Sequence, residues 1–189
     1  MTSPSKAQLR KHYKALRDNC PVADRLYWSD QIADHLSAFC AQEGIANVGL
    51  FEPFGSEVDL HPFEFSNPHL SFFFPRIMSP DPPRLAWGPR PLEPGVWGLQ
   101  EPACAPHTIP PVQLLLVPGL AFAADGYRLG YGKGYYDSTL AALKDSVLTL
   151  GVGFECQRCR DLPTGEWDLP VEGIATEAGI TWIAAIEPS

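Results

Sequence analysis

The segment PVQLLLVPG, at residues 111–119, restricts the possible folds of this chain more than any other segment. Its apolar residues form a continuous run and lack the alternation of a strand with one solvated face. Such a run is typical of a strand buried on both faces, in a sheet that helices cover on both sides. The segment therefore indicates the central strand of an α/β sheet.

Segments of helical and strand character alternate along the rest of the chain, mostly with short connections. This order predicts an open mixed, largely parallel sheet flanked by helices on both sides, in a single domain over residues 1–189. Ligands bind such sheets outside the carboxyl ends of the strands. The expected helices are SPSKAQLRKHYKALRDN, residues 22–43 before Gly44, and YYDSTLAALKD; the further expected strands are ANVGLFEPF, HLSFFFPRI, RLAWG, SVLTLGVGFE and GITWIAAIE.

Composition narrows the classes of partner. Hydrophobic residues make up 45% and charged residues 19% of the 189 residues, which is ordinary for a globular protein. We expect no membrane partner, because no apolar run reaches about 18 residues, and no signal peptide, because the N-terminus is polar and basic. We therefore expect a cytoplasmic location. The net charge of −8 disfavours generic nucleic-acid binding, although a local positive patch can still bind an anion.

The five cysteines are Cys20, Cys40, Cys104, Cys156 and Cys159. An odd number without a secretory signal favours reduced thiols. Cys156 and Cys159 form a CxxC pair, but the chain has no second CxxC or HxxxH to complete a structural zinc site. A thioredoxin-like redox role is also disfavoured, because the pair follows an expected strand near the C-terminus. Zinc and redox roles remain the alternatives to ordinary thiols.

The stretch AFAADGYRLGYGKGYYDSTL, at residues 121–140, places Gly126, Gly130, Gly132 and Gly134 between an expected strand and an expected helix. Such a loop can point several backbone N–H groups at one anion, and Arg128 and Lys133 add charge. The pattern favours a polyphosphate ligand. It matches neither the P-loop, since Gly134 follows Lys133, nor the Rossmann fingerprint, since Tyr135 replaces the third glycine. Asp137 is either a magnesium ligand or a helix cap.

The longer stretch VPGLAFAADGYRLGYGKGYYDSTL closely resembles the signature of the 5-formyltetrahydrofolate cyclo-ligase family, also called methenyltetrahydrofolate synthetases. The resemblance continues in order through KAQLRKHYKALR, FEPFGSEVDL, FFFPRI, WGLQEP and LPTGEWDLPVEGIATEAGI, and so covers nearly the whole chain. It implies ATP- and Mg²⁺-dependent closure of 5-formyltetrahydrofolate to 5,10-methenyltetrahydrofolate, with release of ADP and phosphate.

The resemblance also implies roles for individual residues. Lys133 and Arg128 would be catalytic, because they would neutralise charge on the transferred phosphoryl group. Asp137 and Asp168 would hold Mg²⁺. ATP would contact Lys6, Arg10, Arg128, Leu129, Gly130, Tyr131, Gly132, Lys133, Gly134, Tyr135 and Tyr136. The folate would contact Glu57, Glu52, Tyr131, Gly132, Lys133, Gly134 and Tyr135.

Aromatic side chains at Phe51, Phe54, Trp87 and Trp97 are candidate apolar walls for the pterin, with core packing as the alternative for each. Two positions depart from the family. Trp167 stands where a histidine is common, and Glu52 stands where an apolar residue is commoner.

Two other readings of the sequence remain. One is a different ATP-dependent ligase or kinase on the same scaffold, and the other is a non-catalytic folate- or nucleotide-binding relative. We expect a small-molecule folate partner, possibly polyglutamylated, and a monomer or weak homodimer.

Overall fold

The computed structural model of the protein describes residues 4–143 and 147–183. The helices are α1 (Lys6–Asp18), α2 (Val22–Glu43), α3 (His61–Ser66) and α4 (Tyr135–Ala142). The strands are β1 (Asn47–Gly49), β2 (Ser71–Pro80), β3 (Pro83–Gly88), β4 (Leu92–Pro94), β5 (Gln100–Pro102), β6 (Leu114–Pro118), β7 (Ala121–Ala123), β8 (Arg128–Leu129), β9 (Leu148–Val152), β10 (Arg158–Cys159), β11 (Gly173–Thr176) and β12 (Gly179–Trp182).

Seven strands form the main sheet in the order β12-β11-β9-β6-β1-β2-β3. The pairs from β2 through β1, β6 and β9 to β11 are parallel, and the outer strands β3 and β12 pair antiparallel with their neighbours. This arrangement confirms the predicted mixed, largely parallel sheet. β6 occupies its centre, as the continuous apolar run predicted.

The side chains of β6 alternate between two buried layers, because successive residues of a strand point to opposite faces. Leu114 and Leu116 join a core cluster with Ile32 and Leu36 of α2 and Phe63 of α3. Leu115 and Val117 instead join a second cluster, against which Tyr136 and Leu140 of α4 pack. Helices therefore cover both faces of the sheet, as predicted.

Several short elements were not predicted. α3 has six residues and β11 has four. A hairpin of β7 and β8, joined by β10, interrupts the glycine-rich stretch between β6 and α4. Helix α4 is described to Ala142 and β12 to Trp182, while the parts of YYDSTLAALKD and GITWIAAIE at residues 144–145 and 184–187, and the start of SVLTLGVGFE at 146, lie outside the described residues.

Among the residues that the structure describes, no helix combines the length and the apolar content that crossing a bilayer requires.

Candidate active site

A cavity of about 890 Å³ opens beyond the carboxyl ends of β1 and β6. Its walls come from α1, the loop after β1, the β2–β3 hairpin, the segment around β5, and the loop that leads from β8 into α4. The residues that the sequence predicted to contact ATP, folate or metal all line it: Lys6, Arg10, Glu52, Glu57, Arg128, Leu129, Gly130, Tyr131, Gly132, Lys133, Gly134, Tyr135, Tyr136, Asp137 and Asp168.

The loop before α4 needs glycine at two positions. Gly132 has a φ of 89° and Gly134, the residue that caps α4, has a φ of 75°, a region that side chains disfavour. A Cβ at Gly132 would also lie 3.0 Å from Cζ of Arg10. Gly126 is different, because it turns the β7–β8 hairpin outside the cavity lining, where a Cβ would lie 2.5 Å from the Val171 carbonyl oxygen. The glycine loop that lines the cavity, residues 130–134, is therefore shorter than the glycine-rich stretch of the sequence suggested.

Lys133 of the glycine loop and Arg10 of α1, which contacts that loop, are cations without a carboxylate partner nearby among the described residues. The Nζ atom of Lys133 lies 5.2 Å from the ring centre of Trp97, and Lys133 is exposed. Arg10 donates from Nε to the carbonyl of Gly130 at 2.9 Å, which ties α1 to the loop. In the described part of the chain, neither side chain lies within 4.0 Å of a carboxylate. Both are therefore available for an anionic ligand.

Arg128 and Lys6 hold the two carboxylates predicted to bind metal. The Arg128 side chain, only 4% exposed, donates to Asp137 Oδ1 at 3.0 Å and to the Leu169 carbonyl at 3.0 Å. Lys6 forms an ion pair with Asp168, which also accepts the Gly165 N–H. Burial opposes ionisation of Asp168, but the hydrogen bonds from Lys6 and Gly165 and the charge of Arg128 outweigh it, so its pKa lies below the usual value.

Whether Asp137 and Asp168 can bind Mg²⁺ depends on the other ligands available around them. The described residues contain no group of three or more histidine, cysteine, aspartate or glutamate side chains suited to a metal ion. Asp137 and Asp168 line the same cavity and offer hard carboxylate oxygens, which suit Mg²⁺ when phosphate oxygens and water supply its other ligands. The residues therefore fit an ion that arrives with a polyphosphate rather than one caged by protein alone.

Glu57 lies in a buried hydrogen-bond network that also contains Arg17. The Glu57 carboxylate accepts from Tyr131 Oη at 2.7 Å and from the Phe54 N–H at 2.9 Å. Arg17, 2% exposed, donates to Tyr131 Oη at 2.8 Å and to Ser56 Oγ at 3.0 Å, and lies 3.9 Å from Glu57. Burial raises the pKa of Glu57 against the opposing effects of Tyr131, Phe54 and Arg17. Sequence reasoning missed Arg17, although it stands seven residues after Arg10 on the same helix face.

Glu52 is held at the cavity rim by the side chains of His61 and Arg90. Its carboxylate lies 3.0 Å from His61 Nε2 and 3.3 Å from Arg90 Nη2. The pKa of His61 is raised, because interactions with Asp59 and Glu52 outweigh the opposing effect of burial. Glu52 therefore does not enter the cavity as an uncompensated charge.

The aromatic predictions divide. Phe51, Phe54 and Trp97 line the cavity, whereas Trp87 is fully buried, so for Trp87 the alternative of core packing applies. Trp87 packs edge-on against Tyr136, with ring centres 6.3 Å apart. The Tyr136 hydroxyl is buried without a hydrogen-bond partner among the described residues, and burial raises its pKa.

One wall of the cavity was not predicted at all. It contains mainly apolar side chains from the β2–β3 hairpin and from the segment before β5, together with one buried carboxylate, Glu101. The apolar members are Pro75, Ile77, Pro82, Pro83, Leu85 and Leu99.

The cysteines of the CxxC pair have separate contacts. Cys156 lies 3.7 Å from the sulfur of Cys20, and Cys159 donates to the Phe122 carbonyl at 3.5 Å. All five cysteines are free thiols. Burial and the neighbouring Cys20 raise the pKa of Cys156 to about 12, so this thiol is a poor nucleophile near neutral pH.

Comparison with known proteins gives consistent matches. A family profile described as "5-formyltetrahydrofolate cyclo-ligase family" matches residues 2–177. The 5-formyltetrahydrofolate cyclo-ligase of Haemophilus influenzae is 25% identical over 194 residues, covering 90% of this chain and 97% of the relative. The mouse 5-formyltetrahydrofolate cyclo-ligase is 32% identical over 99 residues, covering 50% of this chain and 46% of the relative.

Two experimental structures are also similar. The NMR structure of Aquifex aeolicus 5,10-methenyltetrahydrofolate synthetase has a TM-score of 0.82 and 30% identity, and the match covers 97% of this chain and 95% of that one. A 5,10-methenyltetrahydrofolate synthetase from Mycoplasma pneumoniae has a TM-score of 0.76 at 23% identity, with 92% and 99% covered, which supports the fold alone.

Proposed function

This chain belongs to the 5-formyltetrahydrofolate cyclo-ligase family and is therefore a ligase, and we propose that it converts 5-formyltetrahydrofolate and ATP to 5,10-methenyltetrahydrofolate, ADP and phosphate. The observation that carries the proposal is one cavity of about 890 Å³, because the glycine loop, four cationic side chains, Asp137, Asp168 and Glu57 all line it. Its volume lies near the upper end of the usual range for ligand sites.

The proposed chemistry overcomes a poor leaving group. The formyl oxygen of the substrate accepts the γ-phosphoryl group of ATP, which releases ADP and leaves an imidate-like phosphate ester. The anilino nitrogen then attacks the formyl carbon, loses its proton and closes the ring as the carbon–oxygen bond breaks and phosphate departs. Catalysis of the first step is mainly positioning and charge stabilisation, since the protein forms no covalent bond to the phosphoryl group.

The cationic side chains are the groups that would bind the triphosphate. Lys6, Arg10, Arg128 and Lys133 all line the cavity, so cationic side chains are available there although the net charge of the protein is −8. Lys133 and Arg10 have no carboxylate partner among the described residues and are free to contact phosphate oxygens. We assign to Lys133 and Arg128 the stabilisation of charge on the transferred phosphoryl group.

Asp137 and Asp168 are the residues that would hold Mg²⁺. When bound, the ion would supply positive charge beside the phosphate oxygens. Arg128 donates a hydrogen bond to Asp137, and its charge helps to lower the pKa of Asp168, so it lies close enough to act on both carboxylates.

The folate end of the cavity would be formed by Glu57, Tyr131, Phe51 and Phe54 together with the apolar wall before β5. Apolar side chains would exclude water from the reacting groups, which strengthens the electrostatic contacts. Arg17 orients Glu57 and Tyr131 without lining the cavity itself.

The test is a spectrophotometric assay. Purified protein, MgATP and 5-formyltetrahydrofolate are mixed, and the near-ultraviolet band of the methenyl product is followed, with ATP or magnesium omitted as controls. We expect the band to rise only when all components are present. Nucleotide binding without a rise would overturn the proposal in favour of another ATP-dependent ligase or kinase, and folate and nucleotide binding without ADP release would favour a non-catalytic relative.

A further inference from the structure

Glu101 differs from the other carboxylates of the cavity. Five carboxylates line the cavity, and four of them lie within 4.0 Å of an arginine or lysine: Glu52 with Arg90, Glu57 with Arg17, Asp137 with Arg128, and Asp168 with Lys6. Glu101 is only 3% exposed and has no such cation among the described residues. Its Oε1 atom accepts a hydrogen bond from the Ile77 N–H at 3.2 Å.

The fold holds this carboxylate in place. The Ile77 N–H anchors Oε1 to β2, and Gly95 leaves room for the other oxygen, since a Cβ there would lie 2.4 Å from Oε2. Apolar side chains of Ile77, Leu85 and Leu99 share the same wall. A carboxylate removed from water with so few partners is unfavourable unless a ligand supplies donors, which makes it a candidate for substrate recognition.

We propose that Glu101 recognises the pterin ring of the folate by accepting hydrogen bonds from its 2-amino group and its N3–H. This inference rests on the proposed function. The two donors lie side by side on one edge of the ring and point the same way, which matches a carboxylate that only accepts, as in a paired arginine–carboxylate contact. The flat ring then lies against the apolar wall that surrounds Glu101.

Adenine is a poorer match for the same group. On each of its edges the amino donor stands beside a ring nitrogen that accepts, so one carboxylate oxygen would face another acceptor. Glu57 is also less suited to the donor pair, because both of its oxygens already accept hydrogen bonds, from Tyr131 and Phe54, whereas of the Glu101 oxygens only Oε1 accepts one from the described residues. Glu57 remains available for other contacts with the substrate.

The experiment measures binding of 5-formyltetrahydrofolate and of ATP separately, by isothermal titration calorimetry without turnover. The variants are Glu101→Gln and Glu93→Gln, the second being the residue opposite Glu101 in the β4–β5 pair, half exposed and outside the cavity lining. We expect Glu101→Gln to weaken folate binding about tenfold or more, because the NH₂ group of the amide would face one of the two pterin donors. ATP binding should stay within about twofold of wild type. Glu93→Gln should leave both affinities unchanged.

A second ligand makes the assignment specific. A folate with a methyl group in place of the 2-amino group should bind wild-type protein about tenfold more weakly than the parent, and Glu101→Gln should no longer distinguish the two. Undiminished discrimination, loss of ATP binding, or unchanged folate affinity in Glu101→Gln would each overturn the proposal and leave the proposed function standing. Failure of wild-type protein to bind the parent folate would instead overturn both.

Discussion

Lys133 is the residue whose charge the proposed mechanism uses most directly. Its side chain is exposed in the glycine loop and has only the Trp97 ring as a nearby partner, so its removal should leave folding intact. Lys133→Ala should lower kcat/KM about 10²-fold or more, because a positioned charge acts on the phosphoryl group in the transition state. Lys11→Ala, on the exposed side of α1 and outside the cavity lining, is the control for loss of one lysine charge. A loss below about threefold in Lys133→Ala would contradict the catalytic role.

A substitution at Asp137 tests the proposed Mg²⁺ site. Asp137→Asn keeps the shape of the side chain and removes one hard ligand, so we expect the protein to fold and magnesium-dependent turnover to be nearly abolished. Activity is measured against magnesium concentration, with unfolding by urea as the check on folding. Asp30→Asn, exposed on α2, should behave as wild type in both measurements. Normal magnesium-dependent activity in Asp137→Asn would exclude Asp137 as a ligand.

Spacing in the sequence predicted some residue positions and missed others. Lys6 and Arg10 were placed on one face because a four-residue helical spacing is a local property, and both line the cavity. RLAWG indicates a strand but not which layer covers it, so the sequence left Trp87 open between a pterin wall and the core, and the structure places it in the core. Arg17 and Glu101 were not selected, since an isolated charge is usually solvated. The partners of Arg17 lie 39, 102 and 114 residues away, and only tertiary contacts reveal its burial.

Helix α1 depends on the Arg17 network for its docking against the loop after β1. Arg17→Met removes one partner of a buried pair and should lower the free energy of unfolding by about 3–5 kcal/mol near neutral pH. Arg17→Lys keeps the charge but loses the paired geometry, and an intermediate loss is expected. Urea denaturation followed by tryptophan fluorescence measures these losses.

The Arg17 loss should also depend on pH. Burial already raises the pKa of Glu57, and the Arg17 charge opposes that rise, so Arg17→Met should raise it further. A carboxyl group whose folded pKa exceeds the unfolded value of about 4.3 stabilises the fold most below that value, and the stability is lost as pH rises through the folded pKa. The deficit of Arg17→Met should therefore be smaller at acidic than at neutral pH. In a Glu57→Gln background it should not vary in this way, and a pH-independent deficit in both backgrounds would contradict the pairing.

The glycine loop before α4 offers a matched comparison of two glycines. Gly132 has a positive φ and lies against Arg10, whereas Gly130 has no positive φ, and a Cβ added there would have no atom within 4 Å. Gly132→Ala should therefore cost about 1–2 kcal/mol of unfolding free energy, and Gly130→Ala a few tenths. Thermal unfolding of both variants decides between them. Equal losses would show that backbone conformation does not set the glycine requirement.

Elements with strong local signals were predictable, and short ones were not. Gly44, with a φ of 64°, ends α2 where the sequence indicated, and the apolar run of β6 identified the central strand. β8 and β10 have two residues each, too few for any periodicity. They form because β7 offers backbone partners on both sides, which a reading of local sequence does not reveal. For the same reason the glycine stretch was expected to be one loop, and it contains a hairpin.

At the scale of the whole molecule, distant parts of the chain meet around one cavity. Lys6 pairs with Asp168 across 162 positions, and the mixed sheet joins strands from residues 47 to 182. Binding of ATP or folate should therefore require the N-terminal helix and the C-terminal segment to be folded together. Separation of either end of the chain would open the site, so we predict that residues 1–189 unfold as one cooperative unit.

This prediction is tested by thermal unfolding with two probes and with ligands. Tryptophan fluorescence and far-ultraviolet circular dichroism should report the same midpoint, as in a two-state transition. A ligand at 100 times its Kd adds about 2.7 kcal/mol, which should raise the midpoint by about 5–11 °C for a chain of this length. MgATP and 5-formyltetrahydrofolate should each shift the whole transition, because the proposed sites join the glycine loop to α1 or to the sheet edge. Two separate transitions, or a ligand shift confined to one probe, would contradict this prediction and show that parts of the chain unfold independently.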